Sequence, residues 1–259
     1  MNESVLVEKE NTIASIMLNE PNSLNALSLN LQKELLNSLI DLKDDVSTKV
    51  VVISGKGRAF CAGGNIKTMN LGKPLYQVKE QMDKASEIVK LIHNFNKPII
   101  AAVHGYAAGA GFSIALASDF IVAEEDAKFS LAFKNIGLIP DLGAHYFLTN
   151  IVGPWKAKEL IYRGAKITGV EGRDYGFINK VVPKGQVLEA AFELATELAL
   201  GPTRAYTYSK SIINQSVYKT LDEIIELENY SQSLLRGTKD NREGIEAFLS
   251  KRFPEFSGE

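Results

Sequence analysis

The chain is poor in the residues that make cross-links and metal sites. Its 259 residues include a single cysteine, Cys61, which excludes an intrachain disulfide and a cysteine-rich metal site. Three histidines, His93, His104 and His145, are scattered without metal-ligand spacing, so no metal is expected. Neither sign of charge is in real excess: 29 basic and 31 acidic residues leave a formal charge of −2, which gives no reason to expect nucleic acid as a partner. Met1-Asn2-Glu3-Ser4 lacks a basic region followed by an apolar one, so no secretory signal is expected and a cytoplasmic setting is the plain expectation. Long apolar runs are missing with one exception, Pro98 to Ser118, whose length approaches the ~20 residues that span a bilayer. Gly and Ala dominate its middle and Asp119 follows at once, so a buried strand–turn–helix is expected there rather than a membrane span.

What is present is a pair of glycine-rich turns, each following a β-branched run and feeding a helix. The first is Gly57 to Lys67 (Gly-Arg-Ala-Phe-Cys-Ala-Gly-Gly-Asn-Ile-Lys), after Val50-Val51-Val52-Ile53. The second is His104 to Ser113 (His-Gly-Tyr-Ala-Ala-Gly-Ala-Gly-Phe-Ser), after Ile99-Ile100-Ala101-Ala102-Val103. A strand that ends in small residues and opens a helix leaves backbone N–H groups unpaired. Two such turns facing each other hold one developing negative charge between two amides, which is the physics of an oxyanion hole. That arrangement points to carbonyl chemistry.

Periodicity and punctuation lay out the rest. Strands are expected at Ser4–Lys9 and Thr12–Leu18, and Ser28 caps a helix that turns Leu31, Leu35, Leu39 and Leu42 inward. A strand at Val50–Ser54 leads to the first turn, and a helix from about Tyr76 to Phe95 carries Val78, Met82, Ile88, Leu91 and Ile92 inward. Strand, turn and helix then repeat, with strands Phe120–Glu124 and Lys128–Ala132 following. After Gly153-Pro154 helices dominate, at Trp155–Tyr162, Gly185–Leu200, Thr203–Gln215, Thr220–Leu235 and Asn241–Leu249, interrupted by one strand at Phe177–Val182. The fold class is α/β: a core over residues 1–200 and a helical C-terminal region over 201–259 suited to oligomer contacts and site closure.

The loop Leu18-Asn19-Glu20-Pro21 with Asn25-Ala26-Leu27, the two turns, Gly137-Leu138-Ile139-Pro140-Asp141, Tyr175 to Val182 and the tail Phe248…Lys251-Arg252 together resemble the enoyl-CoA hydratase/isomerase (crotonase) superfamily over nearly the whole length. The resemblance implies a spiral of repeated ββα units, a homotrimer or dimer of trimers, and acyl-CoA thioesters as substrates. Coenzyme A then enters as part of the substrate, with no separate cofactor. The family's two oxyanion-hole amides fall on Gly64 and Ala110, each donor contributing roughly 3 kcal/mol in a dry site. By the same resemblance Ala62, Asn65 and Ile66 meet the adenine end, with Ser23, Leu24 and Ala26 near the pantetheine and phosphates. Lys67 and, from an adjoining subunit, Lys251 approach a phosphate; the ordinary fate of either lysine is a solvated surface position.

Hydratases of the family use two glutamates, and here the matching positions are Ser113 and Phe133. Phe133 transfers no proton, and a serine is no base without help, so hydration by that mechanism is not expected. Asp141 is the remaining acid, and its segment is most similar to the ring-1,2-epoxyphenylacetyl-CoA isomerase-like branch. A single Asp that removes a proton from one carbon and returns it to another implies an isomerase. Phe133, Leu138 and Ile139 are expected to surround this carboxyl and raise its pKa. The other reading of Asp141 is an N-cap for a helix starting at Leu142. His145, Tyr106, Phe112 and Cys61 are read as structural. A hydratase using other groups, and a non-catalytic CoA-binding scaffold, stay open as alternatives.

Overall fold

A computed structural model describes residues 3–65 and 72–259. The chain opens with an antiparallel pair, β1 (Val5–Glu10) and β2 (Ile13–Leu18). Helix α1 (Leu29–Asp44) follows, with the Ser28 hydroxyl accepting from the Leu31 N–H and Leu31, Leu35, Leu39 and Leu42 buried, as the spacing requires. Strand β3 (Val50–Gly55) leads to the first glycine-rich turn, then α2 (Leu75–His93) returns the chain to β4 (Ile99–Val103). Strand β5 (Tyr106–Ala108) and α3 (Ala110–Ala117) form the next turn of the spiral, and β6 (Phe120–Glu124), β7 (Lys128–Ser130) and α4 (Ala144–Arg163) the one after. The remainder is β8 (Lys166–Thr168), α5 (Gly169–Asp174), β9 (Lys180–Val182), α6 (Val187–Ala199), α7 (Thr203–Ser216), α8 (Leu221–Leu235) and α9 (Lys239–Ser250).

From β4 onward the strands come in pairs, β4 and β5, β6 and β7, β8 and β9, one of each pair in a large sheet and one in a small sheet. The large sheet runs β1-β2-β3-β4-β6-β9, parallel from β2 onward, and the small one β5-β7-β8. The continuous apolar runs of β3 and β4 are those of strands covered on both faces. Val51, Ile53, Ile99, Ala101 and Val103 face the main core with α1, α2 and α3. Val50, Val52, Ile100 and Ala102 face the other way, onto Val187, Ala190, Ala191, Ala195 and Ala199 of α6. The Pro98–Ser118 run lies within this arrangement as β4, β5 and α3, and every residue of α3 is buried. Among the described residues no helix is long and apolar enough to cross a membrane.

Several expectations need correction. Val78 and Met82 are exposed, because the first turns of α2 extend past the core. Their face is held by Lys79–Asp83 and Glu80–Lys84 pairs one helical turn apart. Helix α4 begins at Ala144, well before Trp155, and breaks at Gly153, where Pro154 has no N–H to continue it. The C-terminal portion holds two short strands, and the β8 strand and α5 gave no sequence signal at their length. Tyr106 is half exposed, whereas Phe112 packs at 5.2 and 5.1 Å from the rings of Phe129 and Phe177.

The C-terminal end of α1 is sealed by a lysine from a distant loop. Lys97 is buried and its ammonium donates to the carbonyls of Leu42, Lys43 (3.0 Å) and Asp45 (2.8 Å), groups that the helix itself leaves unpaired. Lys97→Met keeps the apolar stem and removes the donors, so urea unfolding is expected to show a loss of about 2 kcal/mol; an unchanged midpoint would show the cap to be dispensable.

Candidate active site

Three main-chain segments meet beyond the ends of the parallel strands. The Ala62 N–H donates to the Leu24 carbonyl (3.0 Å) and the Leu27 N–H to the Gly63 carbonyl (2.8 Å), joining the loop after β2 to the first turn. The first turn joins the second through Cys61, whose N–H donates to Tyr106 (3.0 Å) and whose carbonyl accepts from Ala108 (2.9 Å). Behind this seam Asn25 is completely buried in a left-handed conformation, φ 56°. Its Nδ2 donates to the carbonyls of Lys56, Ala59 and Phe60 at 3.0, 2.8 and 3.2 Å, and its Oδ1 accepts from the Glu20 N–H at 2.9 Å. Sequence reasoning quoted Asn25 within a motif without giving it this role; the tolerance of Asn for left-handed turns was the available signal.

The two turns pack backbone against backbone. A Cβ on Gly63 would stand 2.6 Å from the Ala108 carbonyl oxygen and 3.4 Å from the Ala110 nitrogen, and one on Gly111 2.2 Å from the Cys61 carbonyl oxygen. Only glycine permits either approach. Among the described residues, the N–H of Gly64 and that of Ala110 have no acceptor. Gly64 lies exposed at the rim, and Ala110 is the first residue of α3, whose positive end adds to any field at its amide. Cys61 is sealed beneath, and burial pushes its thiol up to about 12, so it remains a neutral packed side chain.

The coenzyme-binding candidates divide. Leu24, Ala26 and Ala62 gather at the seam together with Ser23, whose hydroxyl donates to the Glu20 carbonyl at 3.0 Å, and Asn65 lies at the end of the first turn. Ile66 and Lys67 lie outside the described residues. Lys251 is an exposed C-cap of α9, and among the described residues no hydrogen bond or ion pair ties it to these loops. Its tail is anchored by Lys49, which donates to the Phe256 carbonyl at 3.1 Å just before β3, at the opposite end of that strand from the first turn.

Asp141 does not cap a helix. The N-cap of α4 is Gly143, and the Asp141 Oδ1 is buried with no hydrogen-bond partner. Burial raises the pKa of this carboxyl, against a smaller opposing pull from its own backbone N–H. Leu138 and Ile139, expected beside it, are exposed, and the next residue, Leu142, is buried. Phe133 sits across the second turn, its Cζ 3.3 Å from where a Gly109 Cβ would be. Ser113, on α3, donates its hydroxyl to the Asp141 carbonyl at 3.0 Å. His145 is exposed.

A cleft of about 490 Å³ opens at the other end of α3, about 10 Å away along the helix axis, between α2, α4 and α7. Its charges already answer one another: Lys210 meets Asp119 at 2.8 Å, while burial pushes the acid up and the lysine down. It is lined mainly by apolar side chains, with His93, whose pKa burial lowers, among them.

Two glycine turns joined edge to edge at the ends of a ββα spiral define a crotonase fold. The chain belongs to the enoyl-CoA hydratase/isomerase family, whose profile matches residues 8–259. It is 33% identical over 261 residues to the 1,2-epoxyphenylacetyl-CoA isomerase of Escherichia coli strain K12, covering 100% of both chains. It is 34% identical to the 2,3-dehydroadipyl-CoA hydratase of the same organism, covering 98% of each. The crystal structure of an enoyl-CoA hydratase from Bacillus anthracis superposes with a TM-score of 0.94 at 32% identity, over 99% of this chain and 100% of that one.

A carboxyl whose folded pKa is raised binds its proton more tightly folded than unfolded, so its charged form costs stability at neutral pH. Asp141→Asn is therefore expected to raise Tm at pH 7 by roughly 2–4 °C, the shift that about 1 kcal/mol gives in a chain of this size. The gap should close as the pH falls through the raised pKa, above the ordinary value of 3.8. Differential scanning fluorimetry across pH 4–7.5 reads both effects, and a destabilised Asn variant at pH 7 would contradict the assignment.

Proposed function

We propose that the protein is an acyl-CoA isomerase. The observation that carries the reading is the buried Asp141 carboxylate oxygen with no partner, on the same face of the spiral as two N–H groups that have no acceptor among the described residues. A thioester carbonyl oxygen seated between the Gly64 and Ala110 amides gains charge when a neighbouring carbon loses its proton, and donors already in place stabilise that charge without reorganising. Asp141 takes the proton from the carbon next to the carbonyl of a β,γ-unsaturated thioester. The electron pair delocalises over the dienolate, and the protonated Asp141 returns the proton to the γ carbon, giving the α,β-unsaturated isomer. Atoms and charge balance within the site. The raised pKa brings donor and acceptor roles of one carboxyl closer together.

Ser113 and Phe133 stand where the resemblance implies the glutamates of a hydratase, which supports isomerisation over hydration. The likeness to the 1,2-epoxyphenylacetyl-CoA isomerase supports substrates carrying a ring as well as a double bond. The likeness to a 2,3-dehydroadipyl-CoA hydratase supports the second reading, addition of water to an α,β-unsaturated thioester. In the same reading Phe248, Leu249 and Phe253, 85, 76 and 94% exposed, lie at contacts between copies in a homotrimer or dimer of trimers, which bring Lys251 to a neighbour's coenzyme A. Residues 1–200 then form the catalytic spiral, and 201–259 the contacts.

A short-chain β,γ-enoyl-CoA in deuterated water tests the proposal by its conversion and by deuterium uptake. Asp141→Asn is expected to lower kcat by about 10²–10⁴-fold with KM little changed. Full activity in that variant would remove Asp141 from the mechanism. Conversion of an α,β-enoyl-CoA to the 3-hydroxy product as the faster reaction would select the hydratase, and binding without exchange a scaffold.

A further inference from the structure

The position held by Ser113 is occupied by a hydroxyl on a helix that otherwise presents only Ala, Gly, Phe, Ile and Leu to the core. Ser113 is 0% exposed, and a hydroxyl in that setting costs stability unless it is bonded. Its one proton is directed at the Asp141 carbonyl, 3.0 Å away; the Gly109 carbonyl, one turn back on its own helix, lies farther at 3.3 Å. Apolar neighbours would have filled the space without this requirement.

The acceptor is unusual in turn. The Asp141 carbonyl receives two donors, the Ser113 hydroxyl and the Ala144 N–H at 3.1 Å. The next residue, Leu142, is buried with φ 49°, a conformation that a branched side chain adopts at a cost of order 1 kcal/mol or more. Left-handed backbone at Leu142 is thus held open from both sides of the Asp141 peptide. Oδ1 of the carboxylate is buried and without a hydrogen-bond partner, and the pull on the group comes from its own backbone N–H. Its direction is consequently set through the main chain, and the link between that main chain and the helix carrying the Ala110 N–H is the Ser113 hydroxyl.

From this geometry we infer that Ser113 is a positioning residue, a strut that holds the Asp141 backbone at a fixed distance from the N-terminus of α3 and so aims the carboxylate at a substrate carbon polarised by the Ala110 and Gly64 amides. The inference rests on the isomerase reading. Ser113 touches no substrate atom in it and transfers no proton. Removing the hydroxyl releases Asp141 into several orientations, most of them unproductive, while the binding surface for the thioester stays as it was.

The test compares Ser113→Ala, Ser113→Cys, Asp141→Asn and Ser113→Ala/Asp141→Asn with the unmodified full chain, using a short-chain β,γ-enoyl-CoA in deuterated water at temperatures well below each Tm. Ser113→Ala is expected to lower kcat by about 10–100-fold, the scale of a misplaced catalytic group, with KM within about twofold and the acid limb of the pH profile displaced. The thiol of Ser113→Cys, a similar-sized weak donor, is expected to restore part of the loss. The double variant should be no slower than Asp141→Asn, because the strut has nothing left to aim. Ser113→Ala with unchanged kcat and pH profile overturns the inference, as does a double variant in which the two losses multiply. Full activity of Asp141→Asn overturns the isomerase reading instead, so the two failures are told apart. Circular dichroism of Ser113→Ala, matched to the unmodified chain, separates aim from unfolding.

Discussion

Everything at the candidate site depends on two stretches of main chain touching with no side chain between them. The carbonyl and N–H of Cys61 pair with Ala108 and Tyr106, and Gly63 and Gly111 keep the contact free of Cβ atoms. Because the pairing is made by backbone groups, it fixes the spacing of the next residues along each chain, Gly64 and Ala110, as rigidly as a sheet register would. The surrounding side chains have only to protect this contact from water. Phe60 and Cys61 do so from below, and Asn25 substitutes for a missing strand by satisfying three carbonyls that the bend of the first turn leaves over.

Part of the cost of the arrangement falls at Asp141, alongside the unpartnered buried hydroxyls of Ser130 and Thr203. Most buried polar groups in the chain are answered: Lys97 by three carbonyls, Asp119 by Lys210 and the Ile99 N–H, Asn25 by four main-chain groups. Around Asp141 a buried carboxylate oxygen goes without a partner and the following leucine takes a left-handed backbone. Local violations of this kind tend to collect where a protein trades stability for chemistry. The six-stranded sheet, covered on both faces, supplies the surplus that tolerates them.

The fold was readable because its rules are local and periodic. Leu31, Leu35, Leu39 and Leu42 announce α1, the β-branched runs announce β3 and β4, and the doubly apolar strands imply cover on both faces. Short elements escaped: β8 and α5 are three and six residues long, too brief for a period to show. The two turns were legible as glycine patterns, but not their contact, which joins residues 44 or more apart through backbone atoms that carry no residue signature. Asp141 was found by resemblance. Leu138 and Ile139, near it in sequence, are exposed, and Leu142, one residue on, is buried at a positive φ that no leucine advertises. Lys97 and Asn25 are buried polar residues whose carbonyl partners lie tens of residues away, and pattern reading has no access to those.

The seam also bears on how the molecule comes into being. Its parts lie near residues 24, 61, 107 and 141, each separated by a complete strand-and-helix excursion, and none is made by a segment that folds on its own. Contacts of such long loop closure form late, after the chain has already surrendered most of its freedom. A chain in which one turn of the spiral is out of register retains much of its helix content and apolar core. It does not retain half a site, since each amide has its place only through the other's backbone. Regain of chemical competence during refolding is therefore an all-or-none report on long-range order, and lags behind signals that follow secondary structure.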